Sequence, residues 1–149
     1  MTLFTRVKRD QHGSALVEAA IVTPLVLLIM VGIFEVGRAY QTWQVLTNAA
    51  REGARAAVVP FADPVTVEAL VHQYMADGQL DAAANAEVTV DQTVTFVVNG
   101  TTVGASQVIV DYPFEFMVLQ PVARLVVPDT QTGEAITMRA TSLMRNESQ

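Results

Sequence analysis

Cysteine is absent from the 149 residues, which removes a disulfide framework, a thiolate metal site and a thiol nucleophile from consideration. Histidine is nearly absent: only His12 and His72 occur, far apart in the chain, so a histidine-based metal site or proton relay has no basis. Basic charge is scarce and lopsided. Arg6, Lys8 and Arg9 are three of the nine basic residues, Lys8 is the only lysine, and the formal net charge is −6. Beyond Gly13 six arginines face fourteen Asp and Glu, so the clustered cations needed to grip a phosphate backbone are missing and no nucleic acid is expected as a partner. No phosphate loop, nucleophile elbow or paired catalytic motif can be found. Neither an enzyme nor a cofactor is expected.

The chain does have apolar residues in quantity. About half of it is hydrophobic (51%) and the mean hydropathy is +0.34, enough for one globular domain plus an element that meets lipid. Residues 19–34 are sixteen positions in which Thr23 is the only polar side chain. As a helix, residues 14–34 would measure about 31 Å, close to the thickness of a hydrocarbon core. Arg6, Lys8 and Arg9 precede this run, which places the N-terminus in the cytoplasm and everything past about residue 35 outside it. The expected location is the inner (cytoplasmic) membrane, crossed once. A cleaved secretory signal is a competing reading, with Gly37 and Ala39 as small residues before Tyr40, but the helical pattern continues through that point.

Glu18 is the anomaly. A carboxylate inside a spanning helix costs about 3 kcal/mol on insertion scales and persists where an opposite charge compensates it. Either Glu18 lies near enough to the interface to snorkel, or a partner charge is made for it. Cutting after Gly13 would turn Ser14 into an α-ammonium and Glu18 into the fifth residue of the mature chain. The basic leader, Gly13, Ser14, Glu18 and the apolar helix together resemble the class III signal of type IV prepilins. That resemblance implies a prepilin peptidase acting at Gly13 and Ser14, and a glutamate that neutralises the N-terminal amine of a neighbouring subunit.

Past the apolar run, Val36, Tyr40, Trp43, Thr47, Ala50, Ala54 and Ala57 recur at steps of four and three, the spacing of one face of a continuing helix. One helix is therefore expected over residues 14–59, about 70 Å long and ended by Pro60, with its stripe against a soluble domain. Ala and Gly around residues 48–59 allow another backbone to approach, and Arg51, Glu52 and Arg55 are spaced for ion pairs along the helix or for an acidic partner. The order Glu18, Pro24, Gly32, Glu35 and then Ala50, Arg51, Glu52, Gly53, Ala54, Arg55 is similar to the TadE-like proteins of the tight-adherence (Tad) pilus. By that resemblance Glu18, Pro24, Gly32, Glu35, Arg51, Glu52, Gly53 and Arg55 are assembly residues. The implied partners are other minor and major Tad pilins, the pilus assembly platform, and the inner membrane.

Asp63 before Pro64 is a cap and first-turn pair, and Val67, Leu70, Val71 and Tyr74 give a short helix over about 64–77 that Gly78 should stop. From Glu87 the period becomes two: Val88, Val90, Val94, Phe96 and Val98 share a face, and Asn99-Gly100 is a hairpin turn of the primed type. An irregularity is expected in the return strand at Gly104, Ala105 and Ser106, and a last strand carries Ile136, Met138 and Ala140. Phe114, Phe116, Met117, Val118 and Leu119 form an apolar cluster for core, lipid or subunit contact.

The fold class expected is α+β: a long N-terminal transmembrane helix running into a small domain with a short helix and an antiparallel sheet of three or four strands, pilin-like in plan. Its parts are a leader (1–13), the membrane half of the helix (14–34), the outer half (35–59) and the outer domain (60–149). By resemblance the function is that of a minor pilin or pseudopilin, since a domain of about 90 residues follows the long helix and Ala19 stands where major pilins carry an aromatic residue. An uncleaved single-span anchor displaying an extracytoplasmic binding domain is the alternative.

Overall fold

The computed structural model describes residues 11–126 and 128–146; Arg6, Lys8 and Arg9 of the expected leader lie outside them. Helix α1, Gln11–Ala57, runs unbroken for 47 residues past Pro24, about 70 Å. It stops two residues short of the expected Val59. Helix α2, Pro64–Asp77, starts as anticipated: Asp63 Oδ1 accepts the Val65 N–H at 3.3 Å and Thr66 Oγ1 donates to Asp63 Oδ2 at 3.0 Å. Strands β1, Glu87–Val98, and β2, Thr101–Phe114, form a hairpin, and a short helix α3, Leu119–Val126, precedes strand β3, Ile136–Arg145. The three strands make one antiparallel sheet in the order β1-β2-β3.

Three local expectations are met or changed. Asn99 and Gly100 both have positive φ, 51° and 79°, as a primed turn requires. Gly78 ends α2 for a reason other than backbone freedom. The left-handed residue is Gln79 (φ 60°), with Leu80 N–H donating to Met75 O and Gln79 N–H to Ala76 O, the bonding of a Schellman cap. Gly78 itself has φ −75°, and a Cβ there would sit 2.5 Å from Val45 Cγ1, so it is small because α1 passes close by. The sheet irregularity falls at the expected level but on the other strand: Gln92 and Thr93 of β1 together oppose Ser106 of β2, between the pairs Asp91↔Gln107 and Val94↔Ala105. Such a two-against-one bulge bends the strand and re-aims its side chains.

The core lies between the outer half of α1, helix α2 and one face of the sheet. Leu46, Ala49, Ala50, Ala54 and Ala57 of α1 meet Val67, Val71 and Met75 of α2 and Val108, Val110, Tyr112 and Phe114 of β2. The expected stripe on α1 is right in its second half and wrong in its first. Ala50, Ala54 and Ala57 are buried, but Val36, Tyr40 and Trp43 are exposed and the buried upper positions are Glu35, Thr42 and Leu46. Hydropathy favoured the oily residues, whereas a polar contact at Glu35 orients the helix. On α2, Met75 rather than Tyr74 completes the buried face.

Strand β2 lies along α1 and antiparallel to it. Ser106 Oγ meets Ala57 O at 3.1 Å at one end and Arg38 meets Glu115 O at 3.3 Å at the other. The helix advances about 28 Å between those points and the strand about 30 Å. Pairing with β3 stops at Ala105↔Arg145, so residues 94–104 continue as a two-stranded ribbon past the end of α1.

Candidate functional site

Gly13, Ser14 and Glu18 all lie on exposed turns of α1, inside the helix rather than before it. From residue 13 to residue 34 every side chain is exposed except Val31 and Gly32, which are half-buried. This is a helix long and apolar enough to cross a membrane, with its most apolar window wholly uncovered by the rest of the chain. Among the described residues Glu18 has neither an ion pair nor a side-chain hydrogen bond. Pro24 and Gly32 lie on the same bare stretch, and a Cβ on Gly32 would meet nothing within 4 Å.

Glu35 is built differently. It is 1% exposed and its two oxygens are used separately: Oε1 accepts the Val118 N–H at 2.6 Å and Oε2 accepts Arg38 Nη1 at 2.9 Å. Arg38 in turn donates to Glu115 O from Nη1 and Nη2 and stacks over Phe114, 5.1 Å from the ring centre. Phe116 meets the Phe114 ring edge-on at 5.2 Å. A buried carboxylate with an ion pair and a backbone donor is satisfied rather than reactive; it clamps the loop 115–118 to the first turn beyond the apolar run. The expected apolar cluster is thus divided, with Phe114 buried, Phe116 and Val118 half-buried and Met117 exposed. The sequence signal for Arg38 is its position three residues after Glu35, the spacing of a helical ion pair.

The small-residue element serves the interior of this chain. Gly53 is buried, and a Cβ on it would stand 2.5 Å from Val71 Cγ2 and 3.3 Å from Val108 Cγ1, so α2 and β2 both close on the helix at that point. Arg51 and Arg55 point to solvent, and Arg55 stands 4.0 Å from Glu52 with both side chains largely exposed. That pair is worth little.

The end of α1 is sealed by the bulge. Ala57 O accepts from Gln92 Nε2 at 3.2 Å and from Ser106 Oγ at 3.1 Å, and Gln92 Nε2 also reaches Ala62 O at 3.0 Å. Asn146 joins the group, its Oδ1 2.7 Å from Ser106 Oγ. Sequence reading placed Ser106 in an irregular stretch but missed its capping role and that of Gln92, because the extra residue of a bulge leaves no mark in a period-two pattern. On the outer face of the sheet Arg139 and Asp111 form a bidentate cross-strand pair with both contacts at 2.7 Å. Hydrogen bonding to Arg139 holds the Asp111 carboxyl below its ordinary value, and the same bonds raise Arg139. Asp91 is lowered by its bonds from Thr93.

A cavity of about 520 Å³ opens beside the clamp, lined by Arg38, Thr42, Gln79, Asn85, Tyr112 and Glu115 among others. Among the described residues no group of three or more His, Asp and Glu is placed to hold a metal ion. The arrangement is a bare apolar length of helix, a clamp where that length ends and a domain packed on the remainder.

No curated protein and no solved structure matches the chain. A family model does match, over the bare half of α1, the clamp glutamate and the small-residue element: residues 13–55 are similar to the family described as TadE-like protein.

Proposed function

We propose that the chain is a minor pilin or pseudopilin of a Tad pilus, cut after Gly13 by a prepilin peptidase and held in the inner membrane until it joins or primes a filament. The observation that supports this best is the division of α1. Residues 14–34 are bare and apolar with Glu18 on them, while residues 35–57 are packed under a domain. Once Ser14 carries a free α-ammonium, Glu18 can pair with that group on a neighbouring subunit, which offsets the cost of a carboxylate in lipid. Pro24 is exposed, and Gly32, though half-buried, has open space where a Cβ would stand; both are available for helix contacts between subunits, where small residues let backbones approach. The protein acts by assembly with other minor and major pilins and the assembly platform, not by catalysis, and supports adhesion through the filament it helps to start or cap.

The outer domain gives a minor subunit its identity. Its ribbon carries no charged residue from Thr93 to Gln107 and exposes Val97 and Val98 beyond the end of α1, where Phe61 is also 95% exposed. This uncharged end is the surface offered to a companion subunit. The test is Glu18→Ala in cells that make the pilus: the mature protein should remain in the membrane fraction while its amount in sheared pili falls. Wild-type amounts in pili would sink the pairing. The uncleaved anchor is the second reading, and the continuity of α1 through Gly13 and Ser14 favours it.

A further inference from the structure

If α1 spans the membrane, as the proposed function holds, the clamp fixes the height of another element. Glu35 follows Phe34, the last residue of the apolar run, and its Oε1 holds the Val118 N–H at 2.6 Å. Residue 118 is therefore within about one helical turn of the membrane boundary. Helix α3 begins at the next residue and packs against α1. In the bare half of α1 only Val31 and Gly32, at this same upper end, are half-buried. Met117 is 56% exposed, at the level where Ile33, Phe34 and Val36 are exposed as well.

The chemistry of the segment changes with its position. Residues 116–128 hold a single charge, Arg124, which is exposed, and no acid, although Glu115 and Asp129 stand immediately on either side. In a chain with fourteen acids against six arginines beyond Gly13, this is an acid-free, weakly cationic, oily window located at the boundary. An eight-residue helix does not hold its shape in water unaided. Here it is tied at its start by Glu35 and approached so closely at Gln120 that a Cβ on Gly133 would fall 2.7 Å from the Gln120 nitrogen.

We propose that α3 and Met117 form a lipid-contacting collar around the exit of α1. Met117 enters the upper acyl region of the outer leaflet, α3 lies along the headgroup layer, and Arg124 binds lipid phosphate. Short amphipathic helices lie in this plane, arginine bonds phosphate through its fork, and long basic side chains reach up from an apolar bed to the headgroups. The collar would fix the depth and tilt of the shaft before assembly and would have to leave the bilayer when the subunit is extracted.

Because the chain has no cysteine, single reporters can be placed cleanly. The full chain carrying Met117→Cys, Leu28→Cys or Val97→Cys, each labelled with an environment-sensitive fluorophore, is reconstituted into vesicles of phosphatidylcholine and phosphatidylglycerol. Some vesicles contain lipid spin-labelled high on the acyl chain and others lipid labelled deep on it. Expected are deep quenching at Leu28, shallow quenching at Met117 and none at Val97, with Arg124→Glu weakening the Met117 quenching in the anionic vesicles. Quenching at Leu28 with Met117 as unquenched as Val97 overturns the collar and leaves the span standing. The surface would then belong to water or to another protein. No quenching at any site overturns the collar together with the span.

Discussion

Replacing Glu35 by Ala should release the loop 115–118 and α3 while leaving the rest of the outer domain folded. Glu35 is 1% exposed and, among the described residues, is the side-chain partner of the Val118 N–H, at 2.6 Å. Losing that acceptor costs about 1–3 kcal/mol for a donor shielded from water. Losing the Arg38 partner adds less than the roughly 3–5 kcal/mol of a fully buried pair, because a quarter of the Arg38 side chain is exposed and can rehydrate. A local loss of about 2–3 kcal/mol results, which raises the opening equilibrium about 30- to 150-fold. Hydrogen exchange read by mass spectrometry on the full chain in mild detergent should show that acceleration in peptides covering residues 115–126 and no change in α2. Glu35→Gln keeps an oxygen for Val118 and should fall between the two. If the segment exchanges in Glu35→Ala as it does in the parent, Glu35 does not hold the loop and the clamp has been misread.

Two further outcomes follow from the packing and the charges. Gly53→Ala should lower stability to urea by about 0.5–2 kcal/mol, since overpacking of about 1–3 kcal/mol against Val71 and Val108 exceeds the better helix propensity of Ala, whereas Gly32→Ala, with open space around it, should not lower it; equal effects would refute the division of α1. The Asp111 carboxyl is held low by Arg139, so its contribution is present above the ordinary aspartate value and is lost as pH falls through the lowered folded value; Asp111→Asn should therefore cost up to about 1 kcal/mol near neutral pH and converge with the parent in acid, and a difference that does not change with pH would refute the pairing.

The features legible in the sequence were those written in local periodicity and composition. Residues 19–34 announced a bare apolar helix, Asp63-Pro64 a helix start and Asn99-Gly100 a turn, and each is found there. The rotation of α1 under the domain was not legible, because hydropathy ranks Tyr40 and Trp43 above Glu35 and Thr42 and cannot know that a carboxylate will be satisfied by a backbone N–H 83 positions away. The bulge escaped for a similar reason: Gln92 and Ser106 matter through the carbonyl of Ala57, a long-range partner that no window of sequence contains. Gly53 was legible as a residue in a small-residue run, but that Val71 of α2 and Val108 of β2 close on it was not, because both lie far away in the chain. Helix α3 went unpredicted since eight residues interrupted by Pro121 show too little of a helical period to read.

Processing at Gly13 is what separates a pilus subunit from a plain anchor, and it can be read directly. The measurement is the intact mass and N-terminal sequence of the protein purified from membranes of cells with and without a prepilin peptidase. A peptidase-dependent start at Ser14 is the expected result, and Gly13→Asp should abolish it. A start at Met1 in both cells would contradict the pilin reading and leave a single-span anchor, and a start near Tyr40 would make the whole apolar run an export signal.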